Sequence, residues 1–351
     1  MKRIRIGYVP ISHDLSAPGD RRRVAFWAKS RGHEIVLDLR ESFDVLLLSE
    51  RSNLSAYKKE ASGAPIVFDL VDGYLATESV LHDWFRGTSK VLASQLSGTP
   101  KPFTKFVANL CSQSAAVICS SPEQREMILP YSKNVHVILD SHEEIPLLPF
   151  VDRSQKSSQA QQILWEGMPA TLAGVAQIHK ALENLQNRND GLHLNFVTDP
   201  NYYRLLGKFF SGQTSSLLRK SLHGAYESSE IIPWTQSSLV NAAKRSTAAI
   251  IPIQLQNKLQ YMKPENRLLI MWRLGLPCLT SSSPAYKRVA LSAGTDTTCE
   301  TPEQWEAKLS RVLNDRDFAR NVVTRGQAYL AENHNSEILL SKWDQAFQSV
   351  L

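Results

Sequence analysis

A chain of 351 residues is longer than one typical core and fits two domains of ordinary size, with 42% apolar residues to fill both. No stretch approaches the roughly 18 continuous apolar residues of a membrane span, and MKRIRIGYVP enters a strand without a signal-peptide core, so a cytoplasmic location is expected. The net charge of +6 favours anionic partners, yet neither an aromatic-basic RNA signature nor zinc-finger spacing is present, which argues against nucleic acid.

The first half alternates strands and helices. Arg3 to Val9 reads as a strand that runs into the polar loop PISHDLSAPGD, and the following helix, Arg21 to Ser30, closes at Gly32. HEIVLDL, Asp44 to Leu48 and PIVFDL are further strands, with a short helix over Leu54 to Ala61 between the last two. Asp69 and Asp72 stand at the carboxyl end of PIVFDL, where an open α/β sheet places its chemistry; either could instead cap the helix expected from Thr77. His82 to Thr104 reads as surface helices and a loop. Helix 102–112, strand AAVICS, the Ser121-capped helix SPEQREMI and strand NVHVIL close this domain, and put His142 and Glu143 at the sheet's ligand edge. Cys111, Cys119, Cys278 and Cys299 lack CxxC spacing and are expected to be buried apolar residues rather than a zinc or disulfide framework.

Residues 146–160 shift from Pro-rich to Ser/Gln/Lys-rich and read as a linker. The alternation restarts with QILWEG, a helix over 172–185, LHLNFVTD, a helix over 202–210, SEIIPW, SSLVNAAKR and AAIIPI, which implies a second parallel sheet. Gly167 directly after the first of these strands would let a ligand approach the backbone, and Trp234 after the third suits either a flat base or packing under its helix. Amphipathic helices over 302–313 and 318–332 and a last helix after Asn335 complete the chain.

The organising stretch is YMKPENRLLIMWRLGLPCLTSSSPAYKR, 261–288. It predicts a helix over 264–274 with Gly275 as its stop, a buried strand over 277–280, and a small-residue loop opening another helix that carries Tyr286. Lys263, Asn266 and Arg267 at one helix start form a positive, donor-rich pole suited to a diphosphate.

Lys-x-x-Asn-Arg followed by Gly-Leu-Pro, a small strand and Ser-Pro-Ala-Tyr resembles the donor-binding segment of retaining, family-4-like GT-B glycosyltransferases. Two features of that family are missing: Ile270 stands where a glutamate precedes the glycine, and GMPATLAG lacks the basic pair after the domain's first strand. The resemblance implies an α/β fold of two Rossmann-like domains facing each other across a cleft. An acceptor domain would occupy 1–145 and a donor domain 161–334, and a C-terminal helix, 335–351, would cross back to the N-terminal domain. It implies transfer of a sugar from a nucleotide-sugar donor to a glycan or lipid-linked glycan hydroxyl. No metal or other cofactor is expected, and a peripheral contact with the inner face of the membrane is compatible with the charge.

Donor contacts are expected from Gly19, Gly167, Trp234, Lys263, Asn266, Arg267 and Tyr286. Were the reaction inverting, the acceptor hydroxyl would need a base, for which Asp72, His13 and Asp14 are the candidates, with His142 behind them. Two other readings stay open: a nucleotide-sugar epimerase or hydrolase on the same fold, and a non-catalytic nucleotide-sugar-binding protein.

Overall fold

A computed structural model describes residues 2–55, 63–76, 79–152, 161–188, 192–204 and 210–351. The expected helix over 54–61, the start of the helix at Thr77 and the linker's 153–160 therefore lie wholly or largely outside the described residues. The chain divides into two compact units, one made of Met1–His142, Asn257–Pro264 and His334–Leu351, the other of Glu143–Gln256 and Glu265–Asn333.

In the first unit six strands, β1 (Arg5–Val9), β2 (Glu34–Val36), β3 (Val45–Ser49), β4 (Ile66–Leu70), β5 (Ala116–Cys119) and β6 (Val135–Val137), pair in parallel in the order β2-β1-β3-β4-β5-β6. Every residue of β3, β4 and β5 is buried, as their unbroken apolar runs require of strands covered on both faces. The direction of winding reverses between β1 and β3. Open α/β sheets form their ligand crevices at such a reversal.

The last helix, Ser336–Gln348, belongs to this unit and covers one face of its sheet. Leu340, Trp343, Ala346 and Phe347 pack with Ile4, Ile6, Tyr8, Val24 and Trp27, and Trp343 stacks on Trp27 at 5.8 Å. Polar contacts fix the register, because Trp27 Nε1 donates to Asp344 Oδ1 at 2.8 Å and Arg31 pairs with both Asp344 and Glu337.

The second unit holds β7 (Gln162–Glu166), β8 (His193–Thr198), β11 (Ser229–Pro233), β12 (Ala248–Ile251), β13 (Cys278–Ser281) and β14 (Thr298–Cys299) in the parallel order β11-β8-β7-β12-β13-β14. Counted within the unit this is the Rossmann order 3-2-1-4-5-6, with its reversal between β7 and β12. Between β8 and β11 the expected helix over 202–210 is replaced by an antiparallel pair, β9 (Asn201–Arg204) and β10 (Phe210–Gln213). Gly212 lies opposite Tyr202, and a Cβ there would fall 2.5 Å from the tyrosine ring, so the missing side chain makes room for the aromatic one.

The helix of the organising stretch spans only Asn266–Arg273, preceded by a separate turn, Lys258–Tyr261, that Asn257 caps. Gly275 does end it, at φ +70, and a Cβ would meet the Pro149 carbonyl oxygen at 2.5 Å. Residues 145–149 are held rather than loose: Arg273 Nε donates to the Ile145 carbonyl at 2.9 Å, and Leu148 N–H to the Arg273 carbonyl at 2.7 Å. All four cysteines are free thiols in the two cores, and burial pushes Cys111 and Cys119 up to about 12.

Candidate functional site

At the carboxyl edge of the second sheet the reversal between β7 and β12 is occupied by Glu166, which ends β7, and by Gly167 after it. The Arg267 guanidinium reaches this point from the first turn of helix Asn266–Arg273. It lies over the Trp165 ring at 5.3 Å, donates through Nη2 to the Glu166 carbonyl oxygen, and holds Nε 3.6 Å from Glu166 Oε2. Trp234, half-buried, donates Nε1–H to Glu166 Oε1 at 3.1 Å. Gly167 is hemmed in: a Cβ would stand 3.0 Å from Thr171 Oγ1 and 3.1 Å from Arg267 Nη2. With the expected Gly167 packed against the Arg267 guanidinium, two expected residues, Trp234 and Arg267, thus converge on Glu166, which sequence reasoning passed over. Its signal was available, since an acidic residue directly between a buried strand and a glycine marks a sheet edge.

Beside this cluster β13 ends at Ser281, whose Oγ accepts from Ile253 N–H at 2.9 Å. Ser282 Oγ and Lys287 Nζ both donate to Glu300 Oε1, at 3.1 and 2.6 Å. Ser283 is the N-cap of helix Pro284–Ser292 yet makes no cap bond, and its buried hydroxyl has no hydrogen-bond partner among the described residues. The buried Thr198 Oγ1, Thr280 Oγ1 and Asn266 Oδ1 are in the same condition. Buried polar atoms left unpaired cost on the order of 1–3 kcal/mol each, and the first unit has such atoms too, the Ser52 and Ser120 hydroxyls among them. Tyr286 is itself buried, and burial above all raises its phenol, with Arg267 drawing it back. Ile270, in the place of the missing glutamate, is core, while the buried Glu265 takes two 3.2 Å bonds from Arg288.

Lys263 departs from the expected pole. It precedes the helix, belongs to the first unit, and donates Nζ–H to Asp72 Oδ1 at 2.6 Å. The expected trio at one helix start is therefore a pair, Asn266 and Arg267, because Met262 to Glu265 form a bend and not a first helical turn.

The carboxyl edge of the first sheet is dominated by carboxylates. Buried Asp20 accepts from Tyr8 Oη at 2.6 Å and from the Ile11 and Ser12 N–H groups at 2.8 Å each, which ties down the loop after β1. His13 and Asp14 sit exposed on that loop; Asp14 accepts from the Ser16 hydroxyl and N–H, and the hydroxyl foremost holds its carboxyl below the usual range. Gly19 lies in the short helix Pro18–Arg21, where a Cβ would overlap Ile11 Cδ1 at 2.4 Å. Asp69 turns inward and receives Arg23 through two bonds of 2.6 and 2.8 Å, with Asp140 as the arginine's other carboxylate at 3.1 Å.

Neither Asp69 nor Asp72 caps the helix that follows, a role taken by Ser79. Asp72 is fixed through its backbone: its carbonyl accepts from Gln124 Nε2 at 2.9 Å and its N–H donates to Glu50 Oε2 at 3.2 Å. Burial, with the Asp72 charge second, pushes the Glu50 carboxyl up to about 7. Glu50, Asp72 and Lys263 form a cluster at the ends of β3 and β4. The buried His142 instead packs its ring 4.9 Å from His334.

No protein-family model matches the chain, and no curated protein matches it. Solved structures do. TarM of S. aureus, in a complex with fondaparinux, alpha-GlcNAc-glycerol and UDP, superposes with a TM-score of 0.60 at 9% identity, over 86% of this chain and 55% of that one. WaaG, a glycosyltransferase involved in lipopolysaccharide biosynthesis, gives 0.57 at 12% identity over 99% of both chains. A glycosyltransferase from Rickettsia africae gives 0.58 at 11% identity over 100% of this chain and 99% of the other. The chain spans about half the length of TarM and nearly all of the other two.

Proposed function

From the premise that this chain has the GT-B glycosyltransferase fold, two Rossmann-like domains with a C-terminal helix returned to the first, we propose that it moves a sugar from a nucleotide-sugar donor to a glycan or lipid-linked glycan hydroxyl. The observation that carries this reading is the Arg267 guanidinium at the reversal of the second sheet, beside Gly167, in the same unit as the unpaired Ser283 hydroxyl. Departure of a nucleoside diphosphate leaves negative charge on phosphate oxygens. A fixed cation and the N-terminus of helix Pro284–Ser292 stabilise it as it forms, without a resident metal in the proposal. Trp234, anchored through its ring nitrogen, offers a flat apolar face to the base.

The first unit would handle the acceptor. Asp72 is the group assigned to orient its hydroxyl or, in an inverting reaction, to take its proton, and Lys263 balances the charge. UDP in the TarM complex supports the nucleotide-sugar class, and the glycosyltransferase relatives support the acceptor class; a cytoplasmic site of action belongs to the same proposal.

Titration of the full chain with UDP-, GDP-, CMP- and ADP-sugars by calorimetry tests the donor. Arg267→Ala is expected to weaken the binding nucleotide-sugar by about 1.5–3 kcal/mol, the worth of a charge-assisted hydrogen bond. Unchanged affinity in that variant removes Arg267 from the site. Nucleotide release without any acceptor turns the reading toward a hydrolase or epimerase. Tight binding without release in the presence of every acceptor offered turns it toward a binding protein.

A further inference from the structure

Where the carboxylates of the first sheet's edge end, a group of cations begins. Glu50 is followed by Arg51, and Asp72, two residues on, by Tyr74. Arg86 and Lys90 lie four apart on helix Val80–Leu92 and share the face that buries Asp83 and Gly87. That face meets an aromatic corner. Tyr74 touches Phe103 edge-on at 5.3 Å, the Arg86 guanidinium lies 5.4 Å from the Tyr74 ring and 5.9 Å from Phe103, and Lys90 Nζ lies 5.1 Å from Phe103. Attraction to the ring faces fixes where both cations stand and leaves most of their donors uncommitted. Arg51, exposed on the loop after β3, is near enough to act on both Tyr74 and Lys90.

Nothing among the described residues balances this charge. Neither Arg51 nor Arg86 has an ion pair there, and Lys90 Nζ donates to a neutral acceptor, Gln95 Oε1, at 3.3 Å. The nearby carboxylates are engaged elsewhere: Asp72 holds Lys263 at 2.6 Å, and Asp83 accepts from the Thr104 N–H and hydroxyl at 3.1 and 2.6 Å. Burial foremost pushes the Glu50 carboxyl up to about 7, toward its neutral form. Burial above all, and then the charges of Arg51 and Arg86, lower the Lys90 ammonium. Other half-buried arginines of this chain are treated differently, since Arg31, Arg273 and Arg288 each hold a carboxylate. The Ser52 hydroxyl, next to Arg51 in the chain, is buried and has no hydrogen-bond partner among the described residues.

Like charges gathered in a half-buried place repel one another, and a bound anion turns that repulsion into attraction. Two guanidinium forks and an ammonium offer the several-point contact that the oxygens of a phosphate take. The group also borders the residue assigned to the acceptor. Tyr74 feels both sides: burial raises its phenol most, the Glu50 and Asp72 charges next, and Arg86 and Arg51 draw it back.

We infer that Arg51, Arg86 and Lys90 form a site for a phosphate group carried by the acceptor glycan, which seats the acceptor on the first unit with its hydroxyl toward Asp72. Calling the ligand an acceptor rests on the glycosyltransferase reading. The phosphate site itself does not, since none of the three residues belongs to the donor cluster.

The test is calorimetry of the full chain with glucose 6-phosphate, inorganic phosphate and glucose as probes. Glucose 6-phosphate is expected to bind at least roughly tenfold more tightly than glucose, and more tightly than inorganic phosphate, with an affinity that falls as salt is added. Arg86→Gln with Lys90→Gln should weaken that binding at least roughly tenfold and leave nucleotide-sugar affinity unchanged. Arg51→Gln, at an exposed position, should weaken it at unchanged melting temperature, and carries the test where the double variant fails to fold. Equal binding of glucose 6-phosphate by parent and variants, or equal binding of glucose 6-phosphate and glucose, overturns the proposal. So does inorganic phosphate bound as tightly as the sugar phosphate, because the site is then one for the free ion. Absence of nucleotide-sugar binding, with sugar-phosphate binding and its dependence on Arg86 and Lys90 intact, overturns the glycosyltransferase reading and leaves the phosphate site standing.

Discussion

The carboxyl edges of the two sheets occupy equivalent places in similar architectures and differ in the charge they are built around. In the first unit much of the edge is closed by its own polar groups, since Asp20 is filled by a hydroxyl and two N–H groups and Asp69 by both arms of Arg23, although the buried Ser52 and Ser120 hydroxyls have no partner among the described residues. In the second unit the edge is centred on a cation, Arg267, and leaves Thr198, Thr280, Ser283 and Asn266 with polar atoms that no described residue satisfies. The difference teaches that polar residues at a sheet edge do two separable jobs. One set holds the loops in place and is satisfied internally; the other is left without a partner among the described residues, and in the proposed reading it meets the donor.

The strongest way to break the contrast is to open the closed edge. Asp69→Ala leaves the fully buried Arg23 with Asp140 as its remaining carboxylate, and removal of one partner from a buried ion pair is expected to cost about 3–5 kcal/mol, read from chemical denaturation. A loss below about 1 kcal/mol would mean that Asp140 suffices, and that the edge is less tightly closed than its bonds suggest.

A smaller effect is expected at Glu50, and it depends on pH. The carboxyl's folded-state value, about 7, lies above the ordinary 4.5, so below about pH 4.5 it is neutral in both states and its burial is unpenalised. As pH rises from 4.5 to 7 the unfolded chain ionises first and stability is lost, and above 7 the loss is complete. Glu50→Gln, which keeps an acceptor for the Asp72 N–H, should therefore raise stability by about 1–3 kcal/mol at pH 8 and change it little at pH 4.5. A pH-independent difference between the two proteins would refute the assignment.

The smallest effect sharpens the contrast from the other side. Ser283→Ala removes a hydroxyl without a partner among the described residues and should leave stability within about 0.5 kcal/mol, while weakening the nucleotide-sugar. Destabilisation beyond about 1 kcal/mol would show that this edge, too, is structurally closed.

Much of this was legible in the sequence. VLLLS, IVFDL, AVIC and QILWE are strands because short unbroken apolar runs between turn signals suit a parallel sheet covered on both faces. Gly32 and Gly275 end helices at positive φ, the conformation their neighbours demand. The helix expected over 202–210 gives way to strands at 201–204 and 210–213 because an apolar, aromatic run fits a helix face as well as a strand, and the decisive fit of Gly212 under Tyr202 is a cross-strand relation. In the site, Gly167, Trp234 and Arg267 could be named from their positions after strands and at a helix start. The partners could not. Lys263 meets a carboxylate 191 residues away, Arg23 one 46 away, and Glu50 matters because β3 and β4 are neighbours. Spacing along a chain carries no trace of such pairings.

The C-terminal helix also sets an order in time. Trp27 is made early, and what covers it, Trp343 and Phe347, comes about three hundred residues later. As the chain emerges from a ribosome, the second unit's strands and helices up to Asn333 are complete before the first unit has all of its parts. Until then Ile4, Ile6, Tyr8 and Trp27 present an apolar face with its cover still unmade. The half of the molecule that is synthesised first is the half that finishes last, and over that interval it is the half a chaperone would find to hold.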